Sequence, residues 1–422
     1  MSTNGTGRRV VITGLGAVTP LGTDVPSTWE ALVAGRSGVH ATTAFDPSRV
    51  TSRMAGQVPD FDPSRVLDRK EIRRNDRTTQ LALVATAEAL ADAGLPPRLE
   101  GELAEATGVM IGSGLGGTGT LIDQIGTWAT RGPDRLSPFF IPMAISNMAA
   151  GQAAISFGAM GPNFATTSAC ASSGHAIGEA TEMILRGDAE VMLAGGCEAP
   201  VFEATVGAFA AMRALSTRND DPEGASRPFD TGRDGFVVAE GAATLVLEEL
   251  GHALARDARI YAEVLGYAAT ADAHHITSPS PGGYGAVRAA RRALTKSGLD
   301  ASAIDFVSAH ATSTPEGDPT ELMAINTLVG ERAGSVSVTA MKSSIGHTLG
   351  AAGGIATVAT VMALQEGIVP PTLNLHDPDP AMGALDLTPH EAKRRDLRIG
   401  LVNAFGFGGQ NSAVVVGRWE DR

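Results

Sequence analysis

Apolar runs of strand length alternate with longer Ala- and Gly-rich segments of helical length along almost the whole chain, and no low-complexity stretch interrupts them. That alternation restricts the fold to an α/β architecture. VVITGLGAVTP reads as a strand near residues 9–14 entering a Gly-rich turn, with a helix near 26–34. Residues 75–93 predict an Ala/Leu-rich amphipathic helix that stops at glycine, and TGVMIGSGLGG a strand entering a tight turn. A small-residue helix follows within 139–158, GPNFATTSAC leads Cys170 into a long helix, and DAEVMLAGG reads as a buried strand. From residue 259 the order resumes: IYAEVLGYAAT, a helix at 285–297, IDFVSAH, TELMAINTLVG, SVSVTA and GAAGGIATVATVMALQEG. We therefore divide the chain into intimately packed halves, 1–258 and 259–422, although residue identity does not demonstrate a duplication.

Composition narrows the function. The chain has 422 residues, 43% of them hydrophobic, enough for one large core or two fused layers without metal or disulfides. Its 51 glycines, many beside alanine, favour close backbone packing. With only Cys170 and Cys197, a reducing, cytoplasmic setting is expected. No stretch approaches the roughly 20 continuous apolar residues that span a bilayer, so no integral membrane association is expected. A net charge of -13 argues against nucleic acid as a partner. The strongest basic cluster, Arg69, Lys70, Arg73, Arg74 and Arg77, is either a solvated face or a docking surface for an acidic partner.

Gly112, Gly114 and Gly117 form GxGxxG after TGVMI, whereas Gly14 and Gly16 lack a third glycine. Neither stretch has an evident acidic residue about twenty positions on, so nicotinamide or flavin binding is set aside in favour of structural turns or a pocket wall. No phosphate loop, HExxH or zinc-spaced cysteine group is present, and no cofactor or metal is expected.

Three motifs carry chemistry. Cys170 stands at a helix entrance, where unpaired backbone N–H groups favour a thiolate, although a buried structural thiol is equally consistent with its position. His310 ends IDFVSA and begins HATSTPEGD; alone it could merely brace a loop, but with Cys170 it offers the proton control that thioester exchange needs. Lys342 and His347 lie in KSSIGHTLGAAG, where the lysine can orient a carboxylate or histidine network and the histidine can donate to an oxyanion. Four such residues at strand-to-loop transitions point to one composite site.

With these blocks, and with GDAEVMLAGG, ALSTRNDDPEGASRPFD and FGFGGQN, the sequence resembles the elongating beta-ketoacyl-acyl-carrier-protein synthases of bacterial fatty-acid synthesis, type II, over essentially its whole length. The resemblance implies a thiolase fold, layered α-β-α-β-α from two similar mixed-sheet halves, as a homodimer. It implies that Cys170 takes the acyl group from a phosphopantetheinylated carrier protein and that His310 and His347, supported by Lys342, bind and decarboxylate malonyl-carrier. Glu321 resembles a buried acidic member of the network. Backbone N–H groups of Cys170 and Phe407 would form the oxyanion site, with Phe407 as a gate. Thr312 and Thr314, and more weakly Thr277, resemble contacts to the pantetheine arm, and Leu115 and Phe209 the acyl-pocket wall. Arg213 and the 69–77 cluster are the carrier-docking candidates. Ala311, Ser173 and Gln410 depart from the family pattern, where glycine, glycine and threonine are common, and bear on substrate choice. A polyketide ketosynthase is the nearest alternative; an inactive chain-length partner is disfavoured because such partners typically lose the cysteine.

Overall fold

The computed structural model describes residues 7–420. Strand β1 (Val10–Val18) is buried throughout and continues through Gly14 and Gly16, the residues expected to turn, with only a shift of register between Ile12 and Gly14. The reason is a tertiary contact. After α1 (Val25–Val33) and the short basic α2 (Arg69–Arg74), helix α3 (Arg77–Asp92) lies against this strand. A Cβ at Gly14 would fall 2.3 Å from the Ala89 carbonyl oxygen, and one at Gly16 1.9 Å from that of Ala85. The glycines let helix and strand touch backbone to backbone.

The remaining strands of the main sheet are β2 (Thr107–Gly112), β3 (Asn163–Phe164), β4 (Val191–Glu198), β5 (Gly241–Glu249), β6 (Ala262–Ala271), β7 (Phe306–Ser308), β8 (Ser337–Thr339), β9 (Ile399–Gly406) and β10 (Gln410–Arg418). They form one ten-stranded sheet in the order β8-β7-β9-β10-β6-β1-β5-β4-β2-β3. Outward from the centre, one side runs β1, β5, β4, β2, β3 and the other β6, β10, β9, β7, β8. Each position in the second series is the first series advanced by five strands, and the directions repeat as well. Both sides have two antiparallel pairings followed by two parallel ones. Among the described residues, only Val11–Glu263 and Ile12–Ala262 pair the two sides, antiparallel, between β1 and β6. The internal repeat that residue identity does not reveal is therefore explicit in the topology.

Four more helices build the layers. After the exposed α4 (Thr118–Arg131), α5 (Ser172–Arg186) packs on strands of both halves; α6 (Tyr284–Ser297) covers β6 and β10 from outside, as α3 covers β1 and β5. Helix α7 (Gly317–Val329) lies beside α6, and α8 (Ala352–Glu366) is the second inner helix, against α5. This is the five-layered arrangement α-β-α-β-α. The inner helices meet through small residues: a Cβ at Gly353 would lie 2.8 Å from the Gly174 nitrogen. Ser173, which departs from the family pattern, uses its hydroxyl to accept the Gly354 N–H at 2.8 Å, satisfying a first-turn donor of α8. The segment Leu349–Glu366 corrects one expectation, since its 18 residues are long and apolar enough to cross a membrane by composition alone. It is 83% buried inside the protein, as a core helix is.

Candidate active site

Cys170 sits between Ala169, held at φ 49°, and the start of α5. A non-glycine residue in the left-handed region is strained, and the surrounding bonds hold it there. The Ser172 hydroxyl donates to the Ala169 carbonyl at 2.7 Å and accepts the Ser168 N–H at 3.0 Å. His175, one turn along α5, meets the Ser168 hydroxyl through Nδ1 at 2.6 Å and the Asn411 carbonyl through Nε2 at 3.3 Å. Because a carbonyl only accepts, Nε2 carries the proton and Nδ1 accepts from Ser168. Gly406 packs on the same turn, where a Cβ would lie 2.5 Å from the Ser168 carbonyl oxygen. Glycine beside Phe407 is thus required by close approach to the nucleophile, a demand separate from loop mobility.

The backbone N–H groups of Cys170 and Phe407 favour the Cys170 thiolate. Burial nevertheless pushes the thiol up to about 12, against the pull of Lys342 and with a further push from Glu198. The helix entrance alone does not produce a resting thiolate; desolvation outweighs it.

His310 follows β7, and His347 precedes α8 with its N–H on the Val237 carbonyl at 2.7 Å. Their rings meet edge to face, centroids 5.4 Å apart at 84°. Phe405 packs on His310 at 5.4 Å and Phe236 on His347 at 5.3 Å. Burial, reinforced by the Lys342 charge, holds both imidazoles well below the usual histidine range, so they are neutral and can donate from one nitrogen. Neither Nδ1 has a hydrogen-bond partner among the described residues, and both residues line one cavity.

Glu321 accepts the His310 N–H at 2.8 Å, the Ala311 N–H at 2.6 Å and the Asn403 amide at 3.0 Å. Burial raises this carboxyl, and those donors oppose the rise. The Lys342 ammonium bonds the His310 carbonyl; burial lowers it to about 8, with Glu321, Cys170 and Asp318 holding its proton. Lysine and glutamate thus grip the His310 backbone from two sides. Asp318, which sequence reasoning missed, accepts the Phe229 N–H at 2.9 Å and the Ser313 N–H at 3.1 Å. Burial raises it to about 7. Its spacing in HATSTPEGD, one turn before Glu321, was the available signal.

A cavity of about 450 Å³ joins these groups, apart from Lys342, which is not in its lining. Cys170, His310, His347, Glu321, Phe407, Phe209, Thr277, Thr312, Thr314 and Arg213 all line it. The Thr312 and Thr314 hydroxyls bond each other at 3.0 Å, and Phe209 stacks edge-on against Phe236 with centroids 5.3 Å apart. Leu115 is not in this lining; it is 42% exposed on the outer surface. In the basic cluster, Arg69, Lys70 and Arg73 are exposed on α2, while Arg74 lies over the Phe139 ring at 4.9 Å. Arg77 is engaged internally by a bidentate pair with the buried Glu240, both contacts 2.7 Å, which removes it from a docking role.

The GxGxxG turn is explained by an anion already inside the protein. The Gly114 and Leu115 N–H groups and the Ser113 hydroxyl, donors that a phosphate would need, are held by the Glu198 carboxylate at 2.7, 3.1 and 2.8 Å. No cradle is left for a dinucleotide.

With the fold and this constellation established, two family descriptions match, Beta-ketoacyl synthase N-terminal domain over residues 7–253 and C-terminal domain over 261–376. The chain belongs to the beta-ketoacyl synthase family. It is 48% identical to 3-oxoacyl-[acyl-carrier-protein] synthase 2 of Synechocystis sp., over 98% of this chain and 99% of that protein. The protein of the same name from Coxiella burnetii is 46% identical over 97% and 99%. A solved beta-ketoacyl synthase from Burkholderia phymatum superposes with a TM-score of 0.91 at 38% identity, covering 98% of this chain and all of that one. A type II polyketide acyl-carrier protein complex with its ketosynthase, bound to the hexaketide, matches at 33% identity and TM-score 0.89, with 98% and 100% covered. The chain is accordingly a condensing enzyme of the transferase class with the thiolase fold.

Proposed function

We propose that the enzyme elongates acyl chains on a phosphopantetheinylated carrier protein through an acyl-Cys170 intermediate. The observation that carries this reading is one cavity lined together by a free thiol, two neutral histidines and Phe407. Sulfur attacks the acyl thioester carbonyl, the Cys170 and Phe407 N–H groups stabilise the oxyanion, and the carrier thiol departs with the proton that Cys170 surrenders. Malonyl-carrier then enters. The bond to its carboxylate breaks, CO2 leaves, and the electron pair forms an enolate whose oxygen the two imidazole N–H groups stabilise. The enolate carbon attacks the acyl-cysteine, a carbon-carbon bond forms, and Cys170 departs to be reprotonated. Lys342 and Glu321 hold His310 in place, Phe407 gates the cavity, and Thr277, Thr312 and Thr314 receive the arm.

Phe209 borders the acyl chain. Arg69, Lys70, Arg73, Arg74 and Arg213 form the basic face for the carrier. A second copy of the chain covers the apolar surface of Leu121, Ile125, Trp128, Ile141 and Phe164, which flanks the open edge of β3. That homodimer would also enclose Leu115 and bring it toward the acyl end of the site. Two free, buried cysteines agree with a cytoplasmic setting. The fatty-acid reading is favoured over a polyketide one by 48% identity to a 3-oxoacyl synthase against 33% to a polyketide ketosynthase. Competition between saturated and polyketide-type acyl carriers for the enzyme, followed by product analysis, tests it: preferential extension of the saturated chain supports fatty-acid elongation, and preference for the oxidised chain reverses the assignment.

A further inference from the structure

Glu198 has no part in the chemistry above, yet it is fully buried at the end of β4, where three segments of the site meet. Oε1 accepts from the Ser113 hydroxyl and the Leu115 N–H, and Oε2 from the Gly114 N–H and, at 3.0 Å, from the Gly350 N–H. Three of these four partners are backbone N–H groups, which only donate, so the set suits a carboxylate; burial raises the carboxyl and these four donors oppose the rise. Ser113–Leu115 belongs to the first half of the fold. Gly350 lies three residues beyond His347 and follows Leu349, which lines the cavity at φ 46°.

Nothing separates these segments from the carboxylate. A Cβ at Gly350 would lie 2.5 Å from the Gly114 nitrogen and 2.6 Å from Glu198 Oε2. One at Gly114 would lie 2.9 Å from Oε2 and 3.4 Å from the carbonyl of Ala169, the residue before the nucleophile. Lys342 lowers the Cys170 thiol and Glu198 raises it, while His310 and His347 are neutral.

We propose that Glu198 is a positioning residue of the condensing site: its buried carboxyl locks the Ser113–Leu115 turn onto the His347–Gly350 loop beside the nucleophile. The inference rests on Cys170 as the nucleophile. The same placement puts Glu198 among the groups that raise the Cys170 thiol.

Two variants test the bond network. Glu198→Gln keeps the shape and turns an amide against donors; Ser113→Ala removes one bond and keeps the carboxyl. Iodoacetamide alkylation of Cys170 is followed against pH by peptide mass spectrometry, and acyl loading is followed with a small acyl-pantetheine thioester, on protein with a cooperative melt. Glu198→Gln is expected to load about tenfold more slowly. Ser113→Ala is expected to load several-fold more slowly, with its alkylation curve unmoved. Slower loading on an unchanged thiol is not the signature of simple structural damage. Folded Glu198→Gln loading at the wild-type rate overturns the positioning role. Ser113→Ala loading at the wild-type rate overturns it as well, including where Glu198→Gln does not fold. Failure of the underlying reading looks different: Cys170→Ala would then load as well as the wild type.

Discussion

The two halves place a buried carboxylate under the same turn. In the first, Glu198 gathers backbone N–H groups from the turn after β2; in the second, Glu321 gathers those of His310 and Ala311 in the turn after β7. β2 and β7 occupy equivalent positions in the sheet. What differs is the residue each turn presents: serine and glycines in one, His310 in the other. The helix entrances differ likewise, Cys170 standing before α5 and His347 before α8, its equivalent. A repeated scaffold thus supplies anchored turns and helix starts twice, and the division of labour follows from side chains alone. In the proposed reaction the first half holds the acyl group and the second makes the enolate.

The sharpest way to break that division is to remove a second-half histidine and ask whether the first half still works. His347→Ala is expected to lower condensation by about 10²–10³-fold while leaving acyl-cysteine formation measurable, read by single-turnover loading against product release. If loading collapses equally, the halves do not divide the reaction as described.

The anchor beneath His310 comes next. Glu321→Gln is expected to reduce condensation about tenfold with a smaller effect on loading, because the amide cannot accept all three donors. An equal loss in both steps would assign Glu321 to general stability.

Lys342 supplies a pH test. Its folded-state value is lowered to about 8, so it is charged below that pH and neutral above it. Condensation should fall as pH rises through about 8, and Lys342→Met should remove that limb at a lower overall rate. A limb that persists in the variant belongs to another group.

The smallest effects concern the seam between halves. A Cβ at Gly178 on α5 would lie 2.1 Å from the Tyr267 ring on β6, so Gly178→Ala should destabilise by about 1–3 kcal/mol. Ser173→Gly, which leaves the Gly354 N–H unpaired, should cost about 1 kcal/mol, read as a lower midpoint in urea.

Much of the candidate site was legible because its residues sit in contiguous blocks. SAC, HATSTPEGD and KSSIGHTLGAAG each carry a reactive side chain together with the turn that presents it. The helix ending near 93 was legible from its apolar period and terminal glycine, and observed α3 spans Arg77–Asp92. What escaped depends on partners distant in sequence. Glu198 and Ser113 are 85 residues apart, Asn403 and Glu321 are 82 apart, and Arg77 finds Glu240 across 163. Gly14 and Gly16 read locally as a turn because the helix backbone they admit lies more than sixty residues later. Helix α4 went unread because none of its residues is buried, so its apolar side chains do not face this chain's core.

The central claim is that one thiol carries the chain between two chemical steps. Intact-protein mass spectrometry after addition of a saturated C14 acyl-carrier protein, then malonyl-carrier protein, with Cys170→Ala alongside, addresses it directly. The account predicts an acyl adduct on the wild type alone, which disappears as beta-ketoacyl carrier forms. An adduct on Cys170→Ala, or no adduct on folded wild type with competent carriers, would contradict it.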